Sequence, residues 1–282
     1  MRLVTVRTDG GTSAARVDGD DLVLVDATDV GSLLGREDWQ TVARAAEGER
    51  MVSARADLAP VVPAPSKIFC VGLNYRRHIL EMGRDLPRSP TLFAKFAEAL
   101  VGPRDDIVAP SESVMLDWEA ELAVVVGRTV RRADTAEAER AIAGFTVLND
   151  VTVRDWQYRT TQWLQGKTFE ATTPVGPSLV TPDELPGGVR PRLDISCLVN
   201  GETVQSASTD ELVFDPVALV GYVSTIVTLR PGDLIATGTP GGVGHARTPP
   251  RYLAPGDVLT TRVSGVGELT NLVCGDGRSE KA

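Results

Sequence analysis

The sequence predicts a mixed α/β protein that is mainly β, and three observations carry that prediction. Residues 117–127, DWEAELAVVVG, join two carboxylates two positions apart to a run of valines, which reads as a strand buried on both faces. Residues 1–26 alternate short β-rich runs with DGG and DGDD turns, as hairpins do. From Leu193 onward strands recur around an Asn200–Gly201 turn and two PGD turns, at Pro231 and Pro255.

The N-terminal strands are followed by two expected short helices, Val30–Leu34 and Trp39–Ala46, and by the Pro-rich stretch VVPAPSK, expected to be a linker. The reading is therefore a small N-terminal α+β domain at 1–62, with no catalytic candidate, and a larger domain at 63–282. A net charge of −9 argues against nucleic acid or an anionic membrane as partner, since both require a basic face. No apolar run is long enough to cross a bilayer, and the N-terminus lacks a signal-peptide core. A cytoplasmic protein with a small-molecule partner is expected. The three cysteines are far apart and assigned no chemistry. Only Lys67, Lys95, Lys167 and Lys281 are lysine, so each internal one invites a question.

In the larger domain, a strand from Lys67 to Val71 leads to a helix capped by Asn74 and closed by Gly83. His78 and Glu81 stand three apart on it, so the carboxylate can orient the imidazole as a general base; ordinary helix surfaces carry the same pair. Lys95 lies in an apolar, strand-like setting from which it could also snorkel to water. Glu119 and Glu121 share one face of their strand, and hard oxygen donors at that spacing suit Mg²⁺, Mn²⁺ or Ca²⁺; the plain alternative is a solvated pair. Asp134 with Glu137 has capping-box spacing on a helix ended by Gly144.

The strand Phe145–Asp150 ends in a third carboxylate, expected to cap a helix over 151–162 on which Asp150, Arg154 and Gln157 share a face. Those three suit a metal plus an anionic substrate; the alternative is a cap with a salt bridge. Lys167 follows Gly166 and can stabilise a developing enolate, or be a loop lysine. Asp215–Pro216 opens a buried helix. The TGTPGGVG loop, 237–244, lacks nucleotide-binding spacing, but its amides and Thr239 could hold a carboxylate. His245, just beyond, is expected to be exposed.

Together these residues resemble the fumarylacetoacetate hydrolase family, in its acylpyruvase and 2-hydroxyhepta-2,4-diene-1,7-dioate isomerase-like branch. The matching features are GLNYxxHxxE (72–81), DWEAELAVVVG, Asn149–Asp150 with Arg154 and Gln157, QWxxGKTF ending at Phe169, TGTPGGVG and RYLAPGDVL, in order across 67–272. The resemblance implies a twisted β-roll with flanking helices, a homodimer, and Mg²⁺ or Mn²⁺ on Glu119, Glu121 and Asp150. It further implies catalytic roles for His78, Glu81 and Lys167, and substrate binding by Arg154, Gln157 and Thr239. Relatives commonly have Asp where this chain has Glu170, and Pro where it has Phe96.

The leading expectation is hydrolysis of the carbon–carbon bond of an acylpyruvate, a 2,4-dioxo acid, to pyruvate and a carboxylic acid. The same pyruvate enolate is reached by an oxaloacetate-type decarboxylase, and a 2-hydroxy-diene-dioate isomerase or tautomerase needs only proton transfer. A catalytically idle metal-binding protein is the alternative from another class.

Overall fold

The computed structural model describes residues 1–277 except 82 and 84, and leaves the side chains of His78 and Glu81 undescribed. Strand outweighs helix throughout the chain. An eleven-stranded mixed sheet runs, from one edge, Arg50–Val52, Asp21–Leu24, Gly11–Asp18, Arg2–Thr8, Thr173–Val180, Ile142–Asn149, Ala120–Val126, Leu234–Ala236, Ile68–Gly72 and Thr91–Lys95. The short strand Leu100–Val101 pairs off this path with Thr173–Val180. A second sheet of five strands runs Glu202–Ser208, Asp194–Val199, Val258–Val263, Gly267–Gly275 and Ile107–Ala109.

The strand Ala120–Val126 is buried along its whole length, and its period of two divides it between two cores. Ala120, Leu122, Val124 and Val126 pack with Trp118 and with Ile195, Leu259 and Leu269 of the five-stranded sheet. Ala123 and Val125 pack with Leu3, Val30, Leu33 and Trp39 from the N-terminal segment and with Ile68 and Cys70. Each of these large aliphatic side chains contributes about 1.5–3 kcal/mol on burial. Glu119 and Glu121 continue the second set, so the strand aims both carboxylates at one side of the sheet.

The N-terminal strands extend the main sheet, with Arg2 opposite Val180 and Leu3 opposite Leu179. Val61 and Val62 of the Pro-rich stretch are buried in the second core, and the Val61 carbonyl accepts from Thr5 Oγ1 at 2.8 Å. That stretch is packed structure, not a free linker.

Local signals decided several elements as expected. The Asp134–Glu137 capping box opens the helix Thr135–Ala141. Asp215 caps the helix Pro216–Ile226 through the Ala218 amide, and Asn200 and Gly201, both at positive φ, turn the hairpin. Two expectations fail. The Thr135–Ala141 helix passes directly into the strand Ile142–Asn149, so Gly144 ends nothing: it lies within the strand, where a Cβ would come 2.2 Å from the Val180 carbonyl oxygen. The helix expected over 151–162 is instead a two-residue strand, Thr152–Val153, and one helical turn, Arg154–Gln157. β-branched Val151, Thr152 and Val153 favour the extended form, and Thr152 pairs with Asp117.

Candidate metal centre and active site

Strand register builds the acidic half of the site. Ala120 faces Asn149 across the ladder, which sets Glu119 beside Asp150; the Asp150 amide donates to the Glu119 carbonyl at 2.8 Å. Asn149 fixes this corner, accepting from the Glu119 amide at 2.9 Å and donating to Thr261 Oγ1 at 2.9 Å. Oxygen atoms of Glu119, Glu121 and Asp150 all lie within 4.8 Å of one another, in buried side chains. Asp150 caps no helix, because its carboxylate is turned to two lysines.

Those lysines and Arg154 form the cationic half. Lys167 Nζ donates to Glu119 Oε2 at 2.9 Å and to Asp150 Oδ2 at 2.8 Å. Lys95, 2% exposed, does not snorkel: its ammonium donates to Asp150 Oδ1 at 2.7 Å and to the Val151 carbonyl at 3.2 Å. Arg154 Nη1 lies 2.7 Å from Glu119 Oε1 and donates to Gln157 Oε1 at 2.9 Å, while Nε donates to Asp117 Oδ2 at 2.8 Å. Its remaining nitrogen, Nη2, is buried without a hydrogen-bond partner among the described residues. Asp150, Arg154 and Gln157 are thus gathered into one network, though not as neighbours on one helical face.

The 237–244 loop binds the protein's own carboxylates. The Gly238 amide donates to Glu121 Oε2 at 2.8 Å, and the Gly244 and His245 amides donate to Asp117 at 2.7 and 2.9 Å. Thr239 Oγ1 accepts from Gln205 Nε2 at 2.9 Å. His245 is half-buried, not exposed, with Nδ1 2.9 Å from the Tyr252 hydroxyl oxygen. His78 and Glu81 fall on the helix Arg76–Glu81; their side chains lie outside the described residues. The departures Phe96 (54% exposed) and Glu170 both face solvent. Lys95 and Asp117 are the site residues that sequence reasoning left open or passed over: Lys scarcity pointed to the first, and the second stands two residues before Glu119, at the same spacing as Glu119 from Glu121.

Electrostatics treat the three carboxylates unequally. Burial pushes the Glu121 carboxyl well above its usual range, and the charges of Asp150 and Glu119 push it further. Burial acts the same way on Asp150, but Lys167 and Lys95 outweigh it and hold that carboxyl below its usual range. For Lys167, burial works against the charged form, and the Asp150 and Glu119 carboxylates more than reverse this, so the ammonium is kept. Among the described residues four acids, Asp117, Glu119, Glu121 and Asp150, meet three cations, Lys95, Lys167 and Arg154, so ionisation of all four would leave one excess negative charge, and Glu121 is the acid without a cationic partner. Three converging hard-oxygen donors with that excess fit a divalent cation of the Mg²⁺ or Mn²⁺ kind.

The chain as a whole resembles known proteins. Residues 67–274 match the model for the fumarylacetoacetate hydrolase C-terminal region. The mitochondrial oxaloacetate tautomerase of Rattus norvegicus is 46% identical over 217 residues, covering 77% of this chain and 68% of that protein. A fumarylacetoacetate hydrolase from Exiguobacterium antarcticum superposes with a TM-score of 0.86 at 32% identity, over 98% of this chain and 99% of that one. Maleylpyruvate hydrolase from Sphingobium sp. SYK-6, solved with manganese(II) and pyruvate, does so at 0.79 and 29% identity, over 98% and 99%. The motifs, the fold and these likenesses agree that the chain belongs to the fumarylacetoacetate hydrolase family.

Proposed function

We propose that the protein is a divalent-metal-dependent tautomerase or isomerase that moves a proton between the keto and enol forms of a 2-oxo dicarboxylic acid of the oxaloacetate type. The observation that carries this is the buried site in which three carboxylates, a lysine donor and a guanidinium with one nitrogen unpartnered among the described residues converge. A 2-oxo acid presents a carboxylate and a carbonyl oxygen to such a group of charges, and its enolate is the species they favour. The name of the 46%-identical relative, an oxaloacetate tautomerase, points the same way.

Glu119, Glu121 and Asp150 would hold the cation, which when bound supplies Lewis-acid polarisation of the 2-oxo carbonyl. Arg154, locked by Asp117 and Glu119, offers Nη2 to the substrate carboxylate, with Gln157, bonded to its Nη1, and Thr239 as neutral partners. The Lys167 ammonium, a donor in the resting site, stabilises charge on the enol oxygen. In the keto-to-enol direction the proton leaves the carbon next to the carbonyl for a base, for which the sequence offers His78 oriented by Glu81, and the enol oxygen takes a proton from that base; the reverse direction retraces both transfers. Burial of the site matters because these electrostatic contacts weaken in water.

Hydrolysis of an acylpyruvate is the second reading, favoured by the likeness to a maleylpyruvate hydrolase that binds manganese and pyruvate. The two part on whether the base takes a proton from carbon or from water. The discriminating experiment supplies Mn²⁺-loaded protein with oxaloacetate and with an acylpyruvate, following enol absorbance, pyruvate and carbon dioxide, for wild type and His78→Ala. Enol–keto interconversion of oxaloacetate without pyruvate release is the expected result. Pyruvate with its matching acid from the acylpyruvate, lost in His78→Ala, would transfer the assignment to hydrolysis, and carbon dioxide from oxaloacetate would transfer it to decarboxylation.

A further inference from the structure

We infer that Asp117, the first residue of the DWEAELAVVVG stretch, is the positioning residue that sets how tightly the site grips a substrate carboxylate, acting through Arg154; this rests on the role given to Arg154 above. Asp117 is fully buried and accepts four hydrogen bonds. Its Oδ1 takes the Trp118 amide at 2.8 Å and the Gly244 amide at 2.7 Å. Its Oδ2 takes Arg154 Nε at 2.8 Å and the His245 amide at 2.9 Å. One carboxylate therefore ties together the strand that leads to Glu119, the helical turn bearing Arg154 and Gln157, and the far end of the loop that carries Thr239.

Arg154 is held on two sides by this arrangement. Asp117 takes Nε, Glu119 and Gln157 take Nη1, and among the described residues Nη2 alone is left without a partner in a buried position. A planar guanidinium pinned along one edge can point its last nitrogen in a single direction, so its geometry is fixed before a ligand arrives. An unpaired buried donor of this kind is costly to the free protein and is relieved by an anionic acceptor. Space confirms that the approach is close: a Cβ on Gly244 would sit 1.9 Å from the Arg251 carbonyl oxygen and 2.8 Å from Asp117 Oδ1.

The test uses Asp117→Asn, whose amide nitrogen, whichever way it turns, must face an N–H that the carboxylate accepted. Oxalate, which presents two carboxylates and needs no turnover, serves as the binding probe on Mn²⁺-loaded protein. The expected result is oxalate affinity weakened by about 10- to 100-fold, the size of one charge-assisted hydrogen bond, a matching rise in KM for oxaloacetate, and a far smaller change in kcat. Mn²⁺ affinity, read by electron paramagnetic resonance of the free ion, stays within about threefold, because Asp117 is not among the converging metal carboxylates. In an Arg154→Met background, Asp117→Asn should weaken oxalate no further. Unchanged oxalate affinity, a parallel loss of Mn²⁺ affinity, or an undiminished effect without Arg154 overturns the inference. Should the Asn variant fail to fold, Asp117→Glu keeps the charge and displaces both oxygens by one methylene, and is held to the same oxalate and Mn²⁺ readings. A wild type inactive on every 2-oxo acid overturns the proposed function alone, whereas a wild type that does not bind oxalate overturns the role of Asp117.

Discussion

The Lys167 ammonium donates to Asp150 Oδ2 at 2.8 Å with both side chains shut off from water. The other oxygen of the same carboxylate is held by Lys95 at 2.7 Å, and Lys167 also reaches Glu119 at 2.9 Å. These lysines hold oxygens that a cation would use, and they are the counter-charges of the carboxylates. Removing one partner of a buried ion pair typically costs about 3–5 kcal/mol. Lys167→Met should therefore be markedly less stable than wild type in chelator and inactive as an enzyme. Because the variant has lost a positive charge beside the carboxylates, Mn²⁺ should raise its melting temperature by more than it raises that of wild type. Calorimetric melts across a Mn²⁺ titration measure both; a smaller Mn²⁺ response in Lys167→Met would show that the lysine is a structural strut and not a counter-charge.

Glu121 and Asp150 give the metal-free protein opposite pH dependences. Burial and the Asp150 and Glu119 charges raise the Glu121 carboxyl in the folded state, so folding takes up a proton. In the window from the ordinary carboxylate pKa of about 4.3 up to that raised value, stability falls as pH rises, by about 1.4 kcal/mol per unit at most. Asp150 is shifted down by its lysines, which outweigh its burial, so its contribution is complete above the ordinary carboxylate range and is lost as pH drops toward the folded value. Urea unfolding of chelator-treated protein should show the decline on the alkaline side, and Glu121→Gln should flatten it. A bound divalent ion needs Glu121 ionised, so Mn²⁺ binding should release protons in calorimetry repeated in two buffers. An identical alkaline slope in Glu121→Gln would assign the decline to another group.

What was legible in the sequence is what local chemistry decides. The alternation in 117–127 placed Glu119 and Glu121 on one face because a strand has no other period, and Asn200–Gly201 turned a hairpin because both residues tolerate positive φ. Lys95 and Asp117 were not legible in the same way, since their roles exist only where Asp150, Arg154 and Gly244, from distant parts of the chain, close around them. The i, i+4, i+7 spacing of Asp150, Arg154 and Gln157 fits a helix over 151–162, whereas the β-branched Val151–Val153 run and its pairing with Leu116–Asp117 decide otherwise. Asp150 and Arg154 still reach one site, through Glu119 and Lys167 and not through a shared face.

Gly166 offers the sharpest test of how Lys167 is delivered. The short helix Leu164–Lys167 packs on the turn Arg154–Gln157, and a Cβ on Gly166 would meet the Gln157 nitrogen at 2.4 Å, the Gln157 Cα at 2.5 Å and the Val153 carbonyl oxygen at 2.5 Å. All three are backbone atoms, so no side chain can swing away, and the two segments must separate. Overpacking of this kind costs about 1–3 kcal/mol, and the displaced segment includes the residue next in the chain, Lys167. Gly166→Ala should accordingly lose activity by at least about tenfold, because sub-ångström misplacement of a reacting group is expensive, with a lowered melting temperature. Gly221 is the matched control. It lies in the helix Pro216–Ile226, where an added Cβ meets nothing nearer than the Ala133 carbonyl oxygen at 3.7 Å, so Gly221→Ala should gain up to about 1 kcal/mol from helix propensity and leave activity unchanged. Melting curves and steady-state rates for the two variants make the comparison. Retention of full activity in Gly166→Ala would mean that Lys167 reaches Glu119 and Asp150 without help from the packing beneath it.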